Sequence, residues 1–342
     1  MLRASPDNLF IPGKPDVILH DHWGRQFRYL RLSLTDACNM RCSYCLPDGY
    51  QPGGARPEPL LGRAEIRRLA WAFAHLGTRK IRLTGGEPSL RRDLPAILHD
   101  LRQQDSLQTL ALTTNGLKLR QHLADWRAAG LDQLNISLDS LSPERFARIT
   151  GHDRLPRLLD DIDFALADGW ALKINTVLLR EHSALERPAF LDWLRSRPLT
   201  LRFIELMRTH DNAAWYPQQH LRGEDWLNQL VRQGWQEIRR PADAGPARDF
   251  RHPDYAGRLG FILPYSPKFC ESCNRLRVSA RGALHLCLFT GQGHSLRDLL
   301  QDDDQQAALR RRLQQLIQLK AAGHALLADQ SGGNRHFAAI GG

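Results

Sequence analysis

The six cysteines of this chain fall into two groups of three, with the spacing that is typical of metal-binding thiols. The groups are Cys38, Cys42 and Cys45 near the front of the sequence, and Cys270, Cys273 and Cys287 near its back. A structural zinc site or a fully protein-bound iron–sulfur cluster takes four protein ligands, so three thiolates leave one metal position for another molecule. The pattern therefore predicts two metal clusters, each with an open position where chemistry can occur.

Two other uses of these thiols remain open on spacing alone. Six cysteines are enough for three disulfide bridges, although a chain of this length does not need them for stability. A zinc ion is the second alternative. No histidine lies at a short spacing from Cys45, whereas His285 is placed to complete a zinc site with the second group.

Length and composition indicate an ordinary globular protein of 342 residues, large enough for one big domain with a smaller appendage. No apolar run reaches membrane-spanning length, and the first residues lack the pattern of a secretory signal. We therefore expect the protein to be cytoplasmic. In the cytoplasm, clustered cysteines indicate metal or redox sites.

The formal charge of +10 suits a polyanionic partner such as a nucleotide, a nucleic acid or a membrane surface. Only six of the 47 basic residues are lysine, and no block of like charge forms an arm. The placement of single basic residues is therefore more informative than the total. We expect neither a nucleic acid nor a membrane as a partner.

Short β-type runs alternate with helix-type stretches between about residues 29 and 208. The predicted strands are Tyr29–Thr35, Lys80–Thr84, Thr109–Thr114, Gln133–Asp139, Ala171–Leu179 and Thr200–Glu205. The predicted helices are Arg63–Leu76, Leu94–Gln103, Lys118–Ala129, Pro143–Ile149, Leu158–Ala167 and Ala184–Leu194. Six such units predict an α/β fold with a parallel sheet, either an incomplete (βα)6 barrel or a doubly wound sheet.

Side-chain alternation within the strands favours the barrel. One face of each strand is aliphatic, and the other carries Arg31, Ser33, Thr35, Arg82, Thr84, Thr109, Thr113, Asn135, Ser137, Asp139, Lys173 and Asn175. Because helices cover the outside of such a sheet, these polar side chains have only the lumen to face. The alternative is that they face solvent on uncovered strands. We expect a lumen that holds a ligand.

The loops that follow the strands also have unusual content. The first strand leads into the Cys38–Cys45 loop, and the second leads into Gly85-Gly86-Glu87-Pro88. Asn115-Gly116, Asp139-Ser140 and Met207 follow later strands. The carboxyl ends of parallel barrel strands share one rim, where such folds build their active sites. The sequence therefore predicts a site at this rim.

The front of the chain resembles the radical S-adenosylmethionine superfamily. Its marks are Cys38-x3-Cys42-x2-Cys45 with an aromatic residue, Tyr44, before the last cysteine, and the Gly-Gly-Glu-Pro run at 85–88. In that superfamily three thiolates hold a [4Fe-4S] cluster, and S-adenosylmethionine binds the fourth iron. One departure is Ala37, which stands where related proteins often have a basic residue.

The back of the chain narrows the resemblance to the GTP 3′,8-cyclase family, from about Arg28 to the chain's end. The matching features are Phe269-Cys270-x2-Cys273, Arg275-x-Arg277, Cys287-Leu-Phe and a terminal Gly341-Gly342. The resemblance implies a lyase that converts GTP to (8S)-3′,8-cyclo-7,8-dihydroguanosine 5′-triphosphate, the first step of molybdenum cofactor (molybdopterin) biosynthesis. It also implies two [4Fe-4S] clusters, held by the six cysteines, with S-adenosylmethionine at the first and the guanine of GTP at the second.

Individual site residues also follow from the resemblance. The implied GTP contacts are Arg31, Arg82, Thr113, Lys173, Arg202, Arg275, Leu276 and Arg277, and the implied S-adenosylmethionine contacts are Tyr44, Gly86, Glu87, Ser137 and Met207. Arg275, Arg277, Gly341 and Gly342 are the implied catalytic residues. Without the resemblance, two isolated arginines would be expected to be solvated and a glycine-ended tail to be disordered.

The chain has no glycine-rich phosphate-binding loop, so side chains must hold a triphosphate. Arginine forks and a lysine spread over several strands suit that task. Alternation alone already assigns Arg31, Arg82, Thr113, Ser137 and Lys173 to the lumen. Two separate lines of reasoning therefore agree on these five residues.

The proline- and glycine-rich stretch after Arg239 predicts a linker between two domains. The predicted division is an N-terminal arm at 1–27, a partial barrel at 28–240 and a C-terminal cluster-bearing domain at 241–342. The resemblance implies a reductant protein such as flavodoxin or ferredoxin, and cyclic pyranopterin monophosphate synthase as the next enzyme. It leaves a homodimer open.

Two rival functions remain at this point. A radical enzyme with an auxiliary cluster that modifies a peptide would share the front motif, but it has no need of a cationic lumen. A zinc-ribbon nucleic-acid-binding protein would use both cysteine groups structurally, with positive charge along its outer surface. Metal and sulfide counts separate the zinc protein from both radical enzymes.

Overall fold

The computed structural model describes residues 18–52, 58–239, 244–289, 291, 293–324, 326 and 338–341. The predicted domain boundary at 240, residues 1–17 of the predicted arm and the terminal Gly342 lie outside these residues. The division into an arm and two domains stays a prediction.

Six parallel strands form the centre of the fold. They are β1 (Tyr29–Ser33), β2 (Lys80–Thr84), β3 (Thr109–Thr114), β4 (Gln133–Ser137), β5 (Ala171–Leu178) and β6 (Thr200–Glu205), hydrogen-bonded in chain order. Each lies within a predicted strand. β1 and β4 each end two residues before the predicted boundary, where the chain turns into a rim loop, and β5 ends one residue before it.

Helices follow the strands and cover the outside of the sheet. They are α1 (Arg63–His75), α2 (Leu94–Arg102), α3 (Leu119–Ala128), α4 (Pro143–Thr150), α5 (Leu155–Ala167) and α6 (Arg180–Arg195). The start of α4 shows why such a segment becomes helical: Ser142 caps it, Pro143 occupies the first turn, and Gly151 ends it in the left-handed region.

Two further parallel strands extend the six, one at each edge. β9 (Arg258–Ile262) pairs with β6, and β10 (Arg275–Val278) pairs with β1. β7 (Gln236–Glu237) and β8 (Arg248–Arg251) continue the β9 edge in antiparallel fashion, and β11 (Ala283–His285) and β12 (His294–Ser295) continue the β10 edge. Within the described part of the chain, β9 and β10 do not pair with each other, so the barrel is incomplete, as predicted.

Three further α-helices lie within the described residues: α7 (Tyr216–Gln219), α8 (Glu224–Arg232) and α9 (Gln306–Ile317). The core lies between the sheet and its helices, where the aliphatic strand face is fully buried. Leu19 and Phe27, at the end of the predicted arm, are part of this core. Across the described residues, no helix is both long and apolar enough to cross a membrane.

Candidate active site

One cavity of about 580 Å³ fills the lumen and reaches all six cysteines. The first group follows β1, at the carboxyl ends of the strands. The second group lies at the amino ends, because Arg275 pairs with Tyr29 at the start of β1 and Cys270 and Cys273 precede it. Cys287 lies two residues beyond His285, whose antiparallel partner is Arg277, and therefore returns to the same end. The two cysteine groups thus face one cavity from opposite ends.

Two glycines allow the first cysteine loop to pack against the loop after β2. The amides of Gly86 and Glu87 donate to the carbonyls of Thr35 and Ala37, each at 2.8 Å. A Cβ atom at Gly86 would overlap the carbonyl of Ala37, and one at Gly85 would overlap that of Thr35. Gly-Gly is therefore required for this close backbone contact.

The buried carboxylate of Glu87 ties the same loop to the next strand. It accepts hydrogen bonds from the Thr114 hydroxyl and the Asn115 amide, both at 2.7 Å, and from the Ser89 amide at 3.0 Å. Burial raises the pKa of Glu87 in spite of these bonds. The Asn115 side chain in turn donates to Asn39 between the cysteines, at 2.8 Å. The loops after β1, β2 and β3 therefore form one connected rim.

The residues predicted to contact S-adenosylmethionine lie along this rim. Tyr44, Gly86, Glu87, Ser137 and Met207 all line the cavity. The Tyr44 hydroxyl donates to the Asp139 carboxylate at 2.7 Å, and burial raises the pKa of Asp139 to about 6. The tyrosine between two cysteines is thereby fixed to the end of β4.

The first cysteine group suits a cluster better than a single metal ion. Its three thiols are free and half-buried, and burial raises the pKa of each. Among the described residues, no three His, Cys, Asp or Glu side chains are placed to hold one ion. A tetrahedral zinc site needs sulfurs about 4 Å apart, whereas a cubane spreads its ligands over separate irons. The donor set therefore fits three corners of a [4Fe-4S] cluster.

The second group has thiols that are likewise half-buried and not in disulfides, in a more positive setting. The Arg25 guanidinium donates to the Cys270 carbonyl at 3.1 Å, and the buried Lys320 ammonium donates to the carbonyl of Leu286. Burial acts to raise the pKa of Cys273, but Arg275 and Lys320 outweigh it and lower the pKa to about 7. The thiols at this end also fit a cluster, because the nearby cations favour the anionic thiolate form that binds iron.

A wall of cationic side chains lies between the two groups. Arg31, Arg82, Lys173, Arg202, Arg275 and Arg277 all line the cavity. Burial, together with Arg202, Lys80 and Arg82, lowers the pKa of Lys173 to about 7. Burial and the neighbouring Arg31 likewise hold the pKa of Arg277 well below its usual range. Such mutual repulsion is relieved when a polyanion binds between the cations.

The C-terminal segment reaches into this wall. The Gly341 carbonyl accepts hydrogen bonds from Arg31 Nε, at 2.9 Å, and from Arg277 Nη1. Gly341 has a φ of +68°, and a Cβ atom there would overlap the Thr84 side chain. Residues 338–341 therefore lie against the cationic wall, and the glycine at 341 is needed for both its backbone angle and its close contact.

Almost every predicted site residue lies on the cavity. The exceptions are Gly341, which contacts the cationic wall without lining the cavity, Gly342, which lies outside the described residues, and Leu276. The Leu276 side chain is buried in the hydrophobic core on the other face of β10, so only its backbone is available to a ligand. His285, which the zinc alternative required, is not among the lining residues. The lining residues that were not assigned from sequence include three with a phenol or an ammonium group: Tyr29, Lys80 and Lys320. Tyr29 and Lys80 could have been found by extending the strand alternation two residues back from Arg31 and Arg82.

Residues 32–194 match the family description "Radical SAM superfamily", and residues 199–326 match "Molybdenum Cofactor Synthesis C". The chain is 54 % identical over 325 residues to a GTP 3′,8-cyclase of Stenotrophomonas maltophilia, covering 95 % of this chain and 99 % of that protein. It is 50 % identical over 323 residues to one of Vibrio cholerae serotype O1, covering 94 % and 97 %.

Among solved structures, the chain is similar to Streptococcus suis SuiB bound to S-adenosylmethionine. The TM-score is 0.54 at 14 % identity, over 93 % of this chain and 76 % of that one. At this identity the similarity concerns the fold alone.

Proposed function

The chain belongs to the GTP 3′,8-cyclase family of radical S-adenosylmethionine enzymes, and from that premise we propose how its cavity performs the family's reaction. The enzyme converts GTP to (8S)-3′,8-cyclo-7,8-dihydroguanosine 5′-triphosphate, the first step of molybdenum cofactor biosynthesis. Its cofactors are S-adenosylmethionine and two [4Fe-4S] clusters. The roles of single residues below are proposals.

We assign Cys38, Cys42 and Cys45 to the cluster that binds S-adenosylmethionine, and the second cysteine group to the auxiliary cluster. When bound and reduced, the first cluster and S-adenosylmethionine supply the carbon-centred radical chemistry that removes hydrogen from the GTP ribose. Tyr44, Gly86, Glu87, Ser137 and Met207 form the rim that orients the methionine and adenosine parts.

The observation that carries the proposal is the single cavity that joins the two cysteine groups through a cationic wall. Its volume lies within the range of about 300–1,000 Å³ that is usual for small-molecule sites. In our assignment Arg31, Arg82, Lys173 and Arg202 hold the triphosphate, and Thr113 supports Arg82 through the hydrogen bond that it accepts at 3.3 Å. The ribose then lies between the phosphates and the radical source.

The guanine is assigned to the amino end, beside the auxiliary cluster. Arg275 and Arg277 lie two and four residues after Cys273, and both line the cavity. Guanine O6 and N7 are hydrogen-bond acceptors, which suits arginine donors. Holding base and ribose in a fixed relation brings C8 toward C3′ and converts ring closure into an oriented intramolecular step.

Gly341 and Gly342 are proposed to act from the tail, through the carbonyl contact of Gly341 with Arg31 and Arg277. We further propose a flavodoxin or ferredoxin as reductant, cyclic pyranopterin monophosphate synthase as the enzyme that takes the product, and the cytoplasm as compartment. The division into a barrel at 28–240 and a cluster-bearing domain at 241–342 is retained as a proposal.

The test is to give the anaerobically reconstituted, reduced protein S-adenosylmethionine and GTP, and to look for 5′-deoxyadenosine together with a cyclised nucleotide. Cys42→Ser is expected to lose both products. Arg277→Ala is expected to keep S-adenosylmethionine cleavage better than GTP conversion. Formation of 5′-deoxyadenosine by the wild type without nucleotide conversion would contradict the cyclase and leave only the superfamily.

A further inference from the structure

Tyr29 is a buried phenol in the cationic wall, with no role in the assignments above. It is the first residue of β1, its side chain is 3 % exposed, and it lines the cavity. Its neighbours in register are Lys80 on β2 and Arg275 on β10, so it has a cation on either side. Because side chains alternate along a strand, Tyr29 and Arg31 face the same lumen.

Two arginines use the Tyr29 oxygen as a hydrogen-bond acceptor. Arg82 Nε donates to it at 2.5 Å, and Arg31 forms a second side-chain hydrogen bond with it. The Lys80 ammonium lies 5.6 Å from the centroid of the ring. The phenol thus joins two of the arginines assigned to the triphosphate. An arginine has only donors, so it needs an acceptor of this kind to fix its orientation.

The charge around Tyr29 is positive on every strand packed against it. Arg31 lies on its own strand, Lys80 and Arg82 on β2, and Arg275 and Arg277 on β10. Burial acts to raise the pKa of Tyr29, but Arg82, Arg31 and Lys80 outweigh burial and lower the pKa to about 6. Before substrate binds, the ionised phenol therefore provides a negatively charged partner for these arginines.

We propose that Tyr29 is a further substrate-binding residue, whose oxygen orients Arg31 and Arg82 and whose hydroxyl donates a hydrogen bond to the triphosphate of GTP. This inference rests on the proposed function and adds a contact to it. Phosphate oxygens only accept hydrogen bonds, so the phenol that meets the bound anion is the neutral form, which takes up its proton as GTP binds. A carboxylate in this position would instead repel the triphosphate.

The experiment compares GTP binding by the wild type and Tyr29→Phe. Phenylalanine fills nearly the same volume and keeps the strand, but it removes the acceptor of Arg82 and the donor to phosphate. Both proteins are reconstituted with their clusters, and GTP is titrated calorimetrically without reductant, so that no turnover occurs. We expect Tyr29→Phe to raise the dissociation constant for GTP about tenfold or more, since hydrogen bonds to charged groups are among the stronger ones.

Two comparisons distinguish a phosphate contact from a structural role. Guanosine, which lacks phosphates, is expected to bind both proteins with equal affinity, and S-adenosylmethionine affinity is expected to be unchanged. The matched control is Tyr255→Phe, which removes a phenol that accepts from Arg195 at 3.4 Å outside the cavity. Iron content and melting temperature show that each variant is folded and loaded.

Equal GTP affinity in the wild type and Tyr29→Phe would overturn the inference. Equal weakening of GTP and guanosine would also overturn it, because the phenol would then act on the shape of the cavity. A wild type that binds no GTP would overturn the proposed function itself, and that result is distinguishable from the other two.

Discussion

Binding of GTP should be coupled to proton uptake, because the cationic wall has lowered the pKa values of two of its own members. Lys173 has a pKa of about 7 in place of its ordinary 10.5, through burial and the nearby Arg202, Lys80 and Arg82. Tyr29 has a pKa of about 6 in place of 10.0, because neighbouring cations outweigh its burial. A bound triphosphate counteracts this positive field and returns both pKa values toward their ordinary range.

The size and sign of the effect follow from these values. At pH 8 a group of pKa about 7 is roughly one tenth protonated, and one of pKa about 6 is roughly one hundredth protonated. If the triphosphate restores both, the wild type takes up close to two protons per GTP, about 0.9 of them at Lys173. Because binding consumes protons, the association constant falls as the pH rises, by about tenfold per pH unit for each proton taken up.

The assay is calorimetric titration of the reconstituted protein with GTP, at pH 8, in buffers with different ionisation enthalpies. The wild type should give a strong dependence of the apparent enthalpy on the buffer. Lys173→Met should take up about one proton less, and Tyr29→Phe should lose the other. Lys118→Met is the control, since Lys118 lies at the start of α3 and does not line the cavity. A wild-type enthalpy that is the same in every buffer would refute the reasoning, as would an unchanged proton count in Lys173→Met.

Two substitutions of glycine test the backbone contacts of the site. Gly86→Ala should reduce the iron and sulfide retained by the protein, because its Cβ atom overlaps the Ala37 carbonyl beside the first cysteine loop. The control is Gly323→Ala, which has open space around it and should retain both. Equal iron content in the two variants would contradict the expectation. Gly341→Ala should slow GTP conversion about fivefold or more, because a left-handed residue with a side chain costs about 1–2 kcal/mol before any overlap with Thr84. Adding Thr84→Ser to Gly341→Ala should recover part of the rate of GTP conversion, because it removes the overlapping methyl group. If Gly341→Ala converts GTP at the wild-type rate, the tail has no part in the mechanism.

Much of this site follows from sequence because a strand has a fixed two-residue period. The alternation that begins at Arg31, Arg82 and Lys173 assigned these side chains to the lumen, and they line the cavity. The predicted ends of β1 and β4 were two residues too long, because the Thr35 hydroxyl and the Asp139 carboxylate accept backbone hydrogen bonds where the chain turns away. Such side-chain capping competes with strand pairing and leaves no clear mark on the pattern.

Contacts between distant parts of the chain could not be predicted in this way. The pairing of β10 with β1 brings Arg275 beside Tyr29, and it sets the second cysteine group at the amino end of the barrel. Lys320 reaches the Leu286 carbonyl from a segment beyond α9, where no periodicity indicates a site. The tail contact of Gly341 with Arg31 depends equally on tertiary structure. The resemblance alone likewise did not show that the side chain of Leu276, which it implied as a GTP contact, lies in the core.

The most direct test of the account uses GTP that carries deuterium at the 3′ carbon. If the ribose lies between the cationic wall and the S-adenosylmethionine rim, the reduced enzyme should transfer deuterium from this position to 5′-deoxyadenosine as the cyclised nucleotide forms. Mass spectrometry of the 5′-deoxyadenosine gives the answer. Deuterium in that product, in proportion to the nucleotide converted, is the predicted result, and unlabelled 5′-deoxyadenosine alongside intact deuterated GTP would contradict the account.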